Sequence, residues 1–137
     1  MRCSRWPVRS CCGGRALGEG GALGRDGAAI LGVAGRDVYV LACEIFDAAG
    51  YPTGLHKQEG EVLEEGFFHG LGHGVGLEVH EQPWLSRYPG ELMEGDVITL
   101  EPGLYRPGFG GCRLEDLALI TADGAELLTD YPYDLKP

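Results

Sequence analysis

The 137-residue sequence lacks several features that mark particular classes of protein. No apolar run approaches the roughly 18 residues that a membrane-spanning helix needs, so we expect no membrane partner. Basic residues are few, and the formal net charge is −10. Because nucleic acid is also negatively charged, we do not expect it as a partner. The five cysteines are odd in number and form no CxxC pair. This number and spacing of cysteines do not suit a disulfide framework. They are typical of a protein in a reducing compartment, so we expect a cytoplasmic location.

Residues 1–31 differ in composition from the rest of the chain. They hold five of the eleven basic residues but only two acidic ones, Glu19 and Asp26. The segment shows neither helical nor strand periodicity, and its arginines precede no apolar core of a signal peptide. We therefore predict a disordered or mis-started leader at residues 1–31, with a transit peptide as the alternative. The ordered domain is expected over residues 32–137.

The remaining patterns predict an α+β fold. Residues 37–50, DVYVLACEIFDAAG, predict an amphipathic helix over residues 38–49 that ends at Gly50. Its predicted buried stripe, which leaves out Cys43, consists of Val38, Leu41, Ala42, Ile45, Phe46 and Ala49. DVITLEPG and GGCRLEDLALIT alternate as strands do, and Asp123–Gly124 is a hairpin turn signal before a short return strand. The predicted architecture is an antiparallel sheet with one helix packed on its face.

Two of the predicted strands carry a glutamate on a face that is otherwise mostly apolar. A carboxylate that points toward a core must be paired, protonated or bound to a metal. Either Glu101 or Glu115 alone could be a surface residue at a sheet edge, and Arg113 offers Glu115 an ion pair on the same face. Together with His73, the two glutamates form a ligand set that suits Mn, Co, Fe or Zn.

The segment HGLGHGVGLEVHE, residues 69–81, places three histidines among four glycines. It contains neither the HExxH pattern of a helical zinc site nor the GxGxxG pattern of a dinucleotide site. His73 and His80 are seven positions apart, so a regular strand would point them to opposite sides. For both to face one cleft the chain must bend between them, which Gly74 and Gly76 permit.

Three motifs together, HGLGHGVGLEVHE, TLEPGLY and GGCRLED, resemble the metal-site signatures of the pita-bread metallopeptidases. This family includes methionine aminopeptidase, aminopeptidase P and prolidase. EPGLY, and an arginine two residues before the last glutamate, resemble its proline-specific branch. The resemblance spans about residues 32–137. It implies an incomplete pita-bread (creatinase/aminopeptidase-like) fold and an Xaa-Pro dipeptidase or aminopeptidase that uses metal-activated hydroxide.

The resemblance also implies a role for each matching residue. The metal ligands would be His73, Glu101 and Glu115. The catalytic residues would be His80, which hydrogen-bonds the scissile carbonyl or the tetrahedral intermediate, and Glu101, which shuttles a proton. His69 and Arg113 would bind the substrate, a dipeptide or peptide with proline in its second position.

One departure from the family concerns the metal site. The family site holds two divalent metals through five protein ligands, and two of these are aspartates on strands before the helix. The acids upstream of the helix here are Glu19, Asp26 and Asp37, and none lies in a strand-like DxT context. We expect a C-terminal part of the catalytic domain that binds at most one metal, Mn, with Co, Fe or Zn as alternatives. The alternative function is an inactive remnant or a binding module on the same half-fold, and a homo-oligomer is left open.

Overall fold

The computed structural model describes residues 33–130, so the predicted leader lies outside the described residues. Within these residues, helix α1 (Gly35–Ala48) comes first and is followed by a 3-10 turn (Gly54–His56) and seven strands. The strands are β1 (Gly72–Gly74), β2 (Glu81–Leu85), β3 (Val97–Leu100), β4 (Gly103–Arg106), β5 (Gly110–Arg113), β6 (Asp116–Thr121) and β7 (Gly124–Leu127). Within the described part of the chain, no helix has the length and apolar character to cross a membrane.

Five of the strands form one antiparallel sheet in the order β2-β1-β3-β6-β7, and β4 pairs with β5 in a separate hairpin. Helix α1 packs against this sheet through a continuous apolar core. The predicted α+β architecture, an antiparallel sheet with one helix on its face, is confirmed.

The segment GGCRLEDLALIT is not the single strand that its alternation predicted. Residues Gly110–Arg113 pair with β4, whereas Asp116–Thr121 pair with β3 and β7. The chain changes partners at Leu114 and Glu115, and the Leu114 amide donates to the Pro102 carbonyl there. Alternation continues across this junction, so a period of two cannot reveal where one strand stops pairing and the next begins.

Helix α1 buries a slightly different stripe from the predicted one. Cys43, which was placed off the stripe, is fully buried, whereas Ala49 lies beyond the helix and is exposed. The stripe is rotated because the helix packs on Phe67, whose ring centroid lies 5.2 Å from that of Phe46 and 5.8 Å from that of Tyr39. Gly50 adopts a φ of 83° just after the helix, which confirms its predicted terminating role.

The two faces of the sheet have different contents. The face toward α1, here called the core face, carries fully buried side chains, which are Leu85, Ile98, Leu100, Ala118 and Ile120. The opposite face, here called the site face, carries His73, Trp84, Thr99, Glu101 and Leu117. The pairing of Gly74 with Ile98 places His73 directly across from Thr99, so the two side chains share the site face.

The carboxylate that enters the core face belongs to Asp116. Its residue is 2% exposed, and its Oδ1 accepts a hydrogen bond of 2.6 Å from the Thr129 hydroxyl. Glu115, which was expected to point toward a core, has a side chain that is 51% exposed. This expectation was wrong because Glu115 lies between β5 and β6 and pairs with neither β4 nor β3, so its side chain is open to solvent.

Candidate functional site

The site face bears an open cleft beside strand β1. Its volume is about 480 Å³. The cleft is lined by His69, Gly70, Gly72, His73, Trp84, Ser86, Tyr88 and Glu101. Three residues that the sequence analysis selected, His69, His73 and Glu101, therefore share one cavity.

His73 is held through one ring nitrogen, and its other ring nitrogen faces Glu101. Its Nδ1 lies 3.0 Å from the Gly74 carbonyl oxygen. A carbonyl only accepts, so Nδ1 carries the hydrogen and the neutral ring has its lone pair on Nε2. That nitrogen lies 3.0 Å from Glu101 Oε1. A histidine whose second nitrogen is held by a carbonyl is the arrangement that metal-ligating imidazoles use.

Glu101 is positioned by contacts on both of its carboxylate oxygens. Its side chain is only 13% exposed. Oε1 accepts a hydrogen bond of 2.7 Å from the Thr99 hydroxyl, and Oε2 lies 3.6 Å from Arg113 Nε. The Glu101 amide donates to the Leu71 carbonyl over 2.6 Å, which fixes the backbone where β3 ends.

The pair formed by His73 Nε2 and Glu101 Oε1 places two electron-rich atoms face to face. A neutral imidazole lone pair and a carboxylate oxygen repel each other at 3.0 Å. The arrangement becomes favourable when a cation lies between or beside them, either a proton on the imidazole or a metal ion that both atoms coordinate. The donor set of one imidazole and one carboxylate suits Mn, Co, Fe or Zn. These two residues therefore fit one side of a metal site.

Glu115 does not join this pair. Arg113 lies between the two glutamates, with its Nη2 4.0 Å from Glu115 Oε2. Among residues 33–130, no three His, Cys, Asp or Glu side chains form a group that could hold a metal ion. The set of His73, Glu101 and Glu115 is thus not assembled within these residues, and the assignment of Glu115 as a ligand stays a prediction. The alternative ion pair between Arg113 and Glu115 is present but half-exposed, which makes it weak.

His80, on the loop between β1 and β2, lies against His73 but is not among the residues that line the cleft. Its ring centroid is 4.3 Å from that of His73. The chain therefore bends between His73 and His80, which brings the two rings together. Neither Gly74 nor Gly76 has a positive φ. A Cβ on Gly74 would overlap the Gln82 backbone carbonyl, so the bend needs a glycine there, whereas a Cβ on Gly76 would meet only the end of the Glu81 side chain, which can move.

His69 keeps one nitrogen unpaired. Its Nδ1 donates to the Gly70 carbonyl over 2.6 Å, while Nε2 is buried with no hydrogen-bond partner among the described residues. Burial lowers the pKa of His69, and the nearby Arg113 lowers it further, which favours the neutral ring. Aromatic edges from Phe67 and Tyr105 surround the ring at 5.0 and 5.5 Å. His69 lines the cleft, but its Nε2 is buried and faces Gly103, where an added Cβ would lie 3.0 Å away.

Two residues of the site were not assigned a role from the sequence. Trp84 stands across from His73 on β2, with ring centroids 6.2 Å apart. Thr99 contacts both His73 and Glu101. Thr99 shares a strand face with Glu101, which the alternation showed, but its contact with His73 depends on the pairing of β1 with β3.

Three comparisons with known proteins bear on this geometry. The model of the metallopeptidase family M24 matches residues 23–122. The Xaa-Pro dipeptidase of Pyrococcus furiosus is 54% identical over 70 residues, which cover 50% of this chain and 20% of that enzyme. The prolidase of Pyrococcus horikoshii superposes with a TM-score of 0.70 at 35% identity over 94% of this chain and 32% of that one.

A third protein extends the comparison to a second activity. The X-prolyl aminopeptidase of Caenorhabditis elegans, a cytosolic enzyme with a di-nuclear active site, superposes with a TM-score of 0.53 at 29% identity. The match covers 72% of this chain and 16% of that enzyme. The chain thus spans about a third or less of the length of each of these relatives.

The resemblance to the pita-bread metallopeptidases is confirmed. The family match includes all three motifs, and the sheet with its helix superposes on a prolidase. The described residues form part of the catalytic fold of that family. The chain belongs to the metallopeptidase family M24.

Proposed function

We propose that this chain supplies the C-terminal part of the active site of a metal-dependent exopeptidase that cleaves the peptide bond before proline. The observation that carries the proposal is the pair of His73 Nε2 and Glu101 Oε1, which face each other at 3.0 Å and need a cation. The substrate would be an Xaa-Pro dipeptide or a longer peptide with proline second. The names of the relatives and the arginine two residues before Glu115 support the preference for proline.

His73 and Glu101 would hold one metal ion, and Glu115 would supply a further carboxylate from the turn after β5. The remaining ligands of a two-metal site would come from parts of the family domain that this chain does not match. The metal would be Mn, with Co, Fe or Zn as alternatives for the same donor atoms. When bound, the metal would act as a Lewis acid on the scissile carbonyl and provide hydroxide near neutral pH.

His80 and Glu101 would perform the chemistry at the scissile bond. The exposed His80 imidazole, which lies against the His73 ring, would donate a hydrogen bond to the carbonyl oxygen as negative charge develops on it. A donor of this kind contributes roughly 2.7–4 kcal/mol in other enzymes. Glu101 would carry a proton to the prolyl nitrogen as the peptide bond breaks.

His69 and Arg113 would position the substrate. His69, which lines the cleft, would contact the substrate near its second residue. Arg113 is half-exposed and lies beside Glu101, so its guanidinium can pair with substrate oxygens and still orient that carboxylate.

The cell compartment proposed for this protein is the cytoplasm. In the described residues, Cys43 and Cys112 are both free thiols, which fits a reducing environment. The Caenorhabditis elegans relative is a cytosolic enzyme. With a formal net charge of −10, a nucleic acid partner is not proposed.

A chimaera tests the proposal. Residues 33–130 replace the corresponding segment of the Pyrococcus horikoshii prolidase, and the product is incubated with Mn²⁺ and either Ala-Pro or Ala-Pro-Ala. We expect cleavage before proline, no cleavage of Ala-Ala, and loss of activity with His73→Ala. The relative rates on the two proline peptides decide between dipeptidase and aminopeptidase. A folded, metal-loaded chimaera that cleaves neither peptide would overturn the proposal and favour a non-catalytic module.

A further inference from the structure

The Thr99 hydroxyl lies at the centre of three contacts on the site face. Thr99 is 2% exposed. Its Oγ1 is 3.0 Å from the His73 backbone nitrogen and 2.7 Å from Glu101 Oε1. The His73 carbonyl oxygen is at 3.5 Å, which is the longest of the three. One buried hydroxyl thus touches both residues that face each other across the cation position.

The direction of each hydrogen bond follows from the chemistry of the partners. A backbone N–H only donates, so the Thr99 oxygen accepts from His73. An ionised carboxylate only accepts, so the single hydroxyl hydrogen goes to Glu101. The 2.7 Å distance is that of a charge-assisted bond, whereas the carbonyl at 3.5 Å is beyond a good one. The hydroxyl therefore links the His73 amide to Glu101 Oε1 in one direction.

The backbone is arranged so that this link can form. Strand β1 approaches β3 so closely that a Cβ on Gly72 would overlap the Thr99 carbonyl oxygen. Threonine is β-branched and restricted at χ1, so its hydroxyl has few alternative directions on a paired strand. A glycine before His73 and a threonine across from it together set the distance between the two strands at the cleft.

We propose that Thr99 is a positioning residue that holds Glu101 Oε1 against His73 Nε2, so that both atoms are preset to coordinate one cation. The proposal rests on the proposed function only in taking that cation to be a metal ion. The Thr99 hydroxyl occupies one lone pair of Oε1 and leaves the other to face His73 Nε2, while Oε2 lies 3.6 Å from Arg113 Nε. Outer partners of this kind change metal affinity by about 10–100-fold when they are removed.

The test uses the full 137-residue chain and Co²⁺, whose absorption reports binding directly. Thr99→Val keeps the shape of the side chain and removes the hydroxyl, while Thr99→Ser keeps the hydroxyl. We expect Thr99→Val to weaken Co²⁺ binding about tenfold or more and Thr99→Ser to stay within about threefold of the parent chain.

A matched control separates positioning from general loss of structure. Thr121 lies on β6 of the same sheet, and its hydroxyl donates to the Gly124 carbonyl away from the cleft. Thr121→Val is the same chemical change and should leave Co²⁺ affinity unchanged. If Thr99→Val and Thr121→Val weaken binding equally, or if Thr99→Val changes it less than twofold, the positioning role is overturned.

A second measurement decides the proposal on the metal-free chain. In NMR spectra, the His73 amide proton and the Glu101 Cδ resonance should both shift in Thr99→Val, and the His73 amide should exchange faster with D₂O. Thr99→Ser should restore both resonances. Resonances that stay unchanged in Thr99→Val would overturn the proposal. Failure of the parent chain to bind Co²⁺, with these shifts present, would instead count against the proposed metal site alone.

Discussion

The two faces of the central sheet follow different rules. The core face presents Ile98, Leu100 and Ile120 to helix α1, and each of these residues is at most 1% exposed. The site face places His73, Thr99 and Glu101 beside Leu117, which is only half-buried. Neighbouring residues of the same strand thus enter opposite environments, since side chains alternate along a strand.

The difference separates stability from chemistry within one sheet. On the core face, apolar burial determines the residue type, and each fully buried side chain contributes roughly 1.5–3 kcal/mol. On the site face, His73, Thr99 and Glu101 occupy positions where apolar side chains would pack better. Their contacts with one another are what account for these residue types. Truncating a side chain on the core face should therefore lower the free energy of unfolding. Truncating one on the site face should instead lower activity.

The largest expected effect breaks the core face. Leu100→Ala should lower the free energy of unfolding by roughly 2–5 kcal/mol, because it removes a fully buried side chain and leaves a cavity. Leu119→Ala, on the opposite side of the neighbouring strand and half-buried, should cost only about 1 kcal/mol. Urea unfolding of both variants gives the comparison. Equal decreases in the free energy of unfolding would show that the two faces contribute alike to stability.

The next effect isolates chemistry on the site face. In the active chimaera with the prolidase, His80→Ala should lower the turnover of Ala-Pro by about a hundredfold or more, which is the scale for losing an oxyanion donor. Its metal content should stay nearly unchanged, since His80 is not among the proposed ligands. His73→Ala should lose metal and activity together. Near-full turnover in His80→Ala would remove the catalytic role of His80.

The smallest expected effect is on the pH dependence of stability, through His69. The pKa of His69 is lowered mainly by burial, so the unfolded chain takes up a proton at a higher pH than the folded chain does. Stability should therefore fall as the pH drops below about 6.5 toward the lowered pKa. Urea unfolding at pH 7 and pH 5.5 should show a smaller fall for His69→Gln than for the parent chain. An equal fall in His69→Gln and in the parent chain would contradict this role of His69.

Much of the core face could be predicted from the sequence, because which residues are buried follows mainly from their spacing along one strand or one helix. The alternation over residues 97–101 assigned Ile98 and Leu100 to one side and Thr99 and Glu101 to the other, and the structure has them so. The helical spacing likewise found Val38, Ala42 and Phe46. It missed the buried Cys43, because the rotation of a helix depends on what it packs against rather than on its own period.

The site face was harder to predict because its causes are non-local. The three motifs identified the family and selected His73 and Glu101, but the role inferred for Thr99 depends on which strand lies across from it. The exposure of Glu115 follows from a change of strand partner at Leu114, which leaves the alternation intact. Asp116 was read as one more residue of an alternating strand, and it is the carboxylate that enters the core.

Metal analysis of the chain itself tests the central claim, that His73 and Glu101 form one side of a divalent metal site. The full chain is dialysed against Mn²⁺ and then against metal-free buffer, beside His73→Ala and the control His56→Gln. We expect one equivalent or less per chain, held weakly, lost in His73→Ala and kept in His56→Gln. Two tightly held equivalents, or binding that His73→Ala leaves unchanged, would contradict the account.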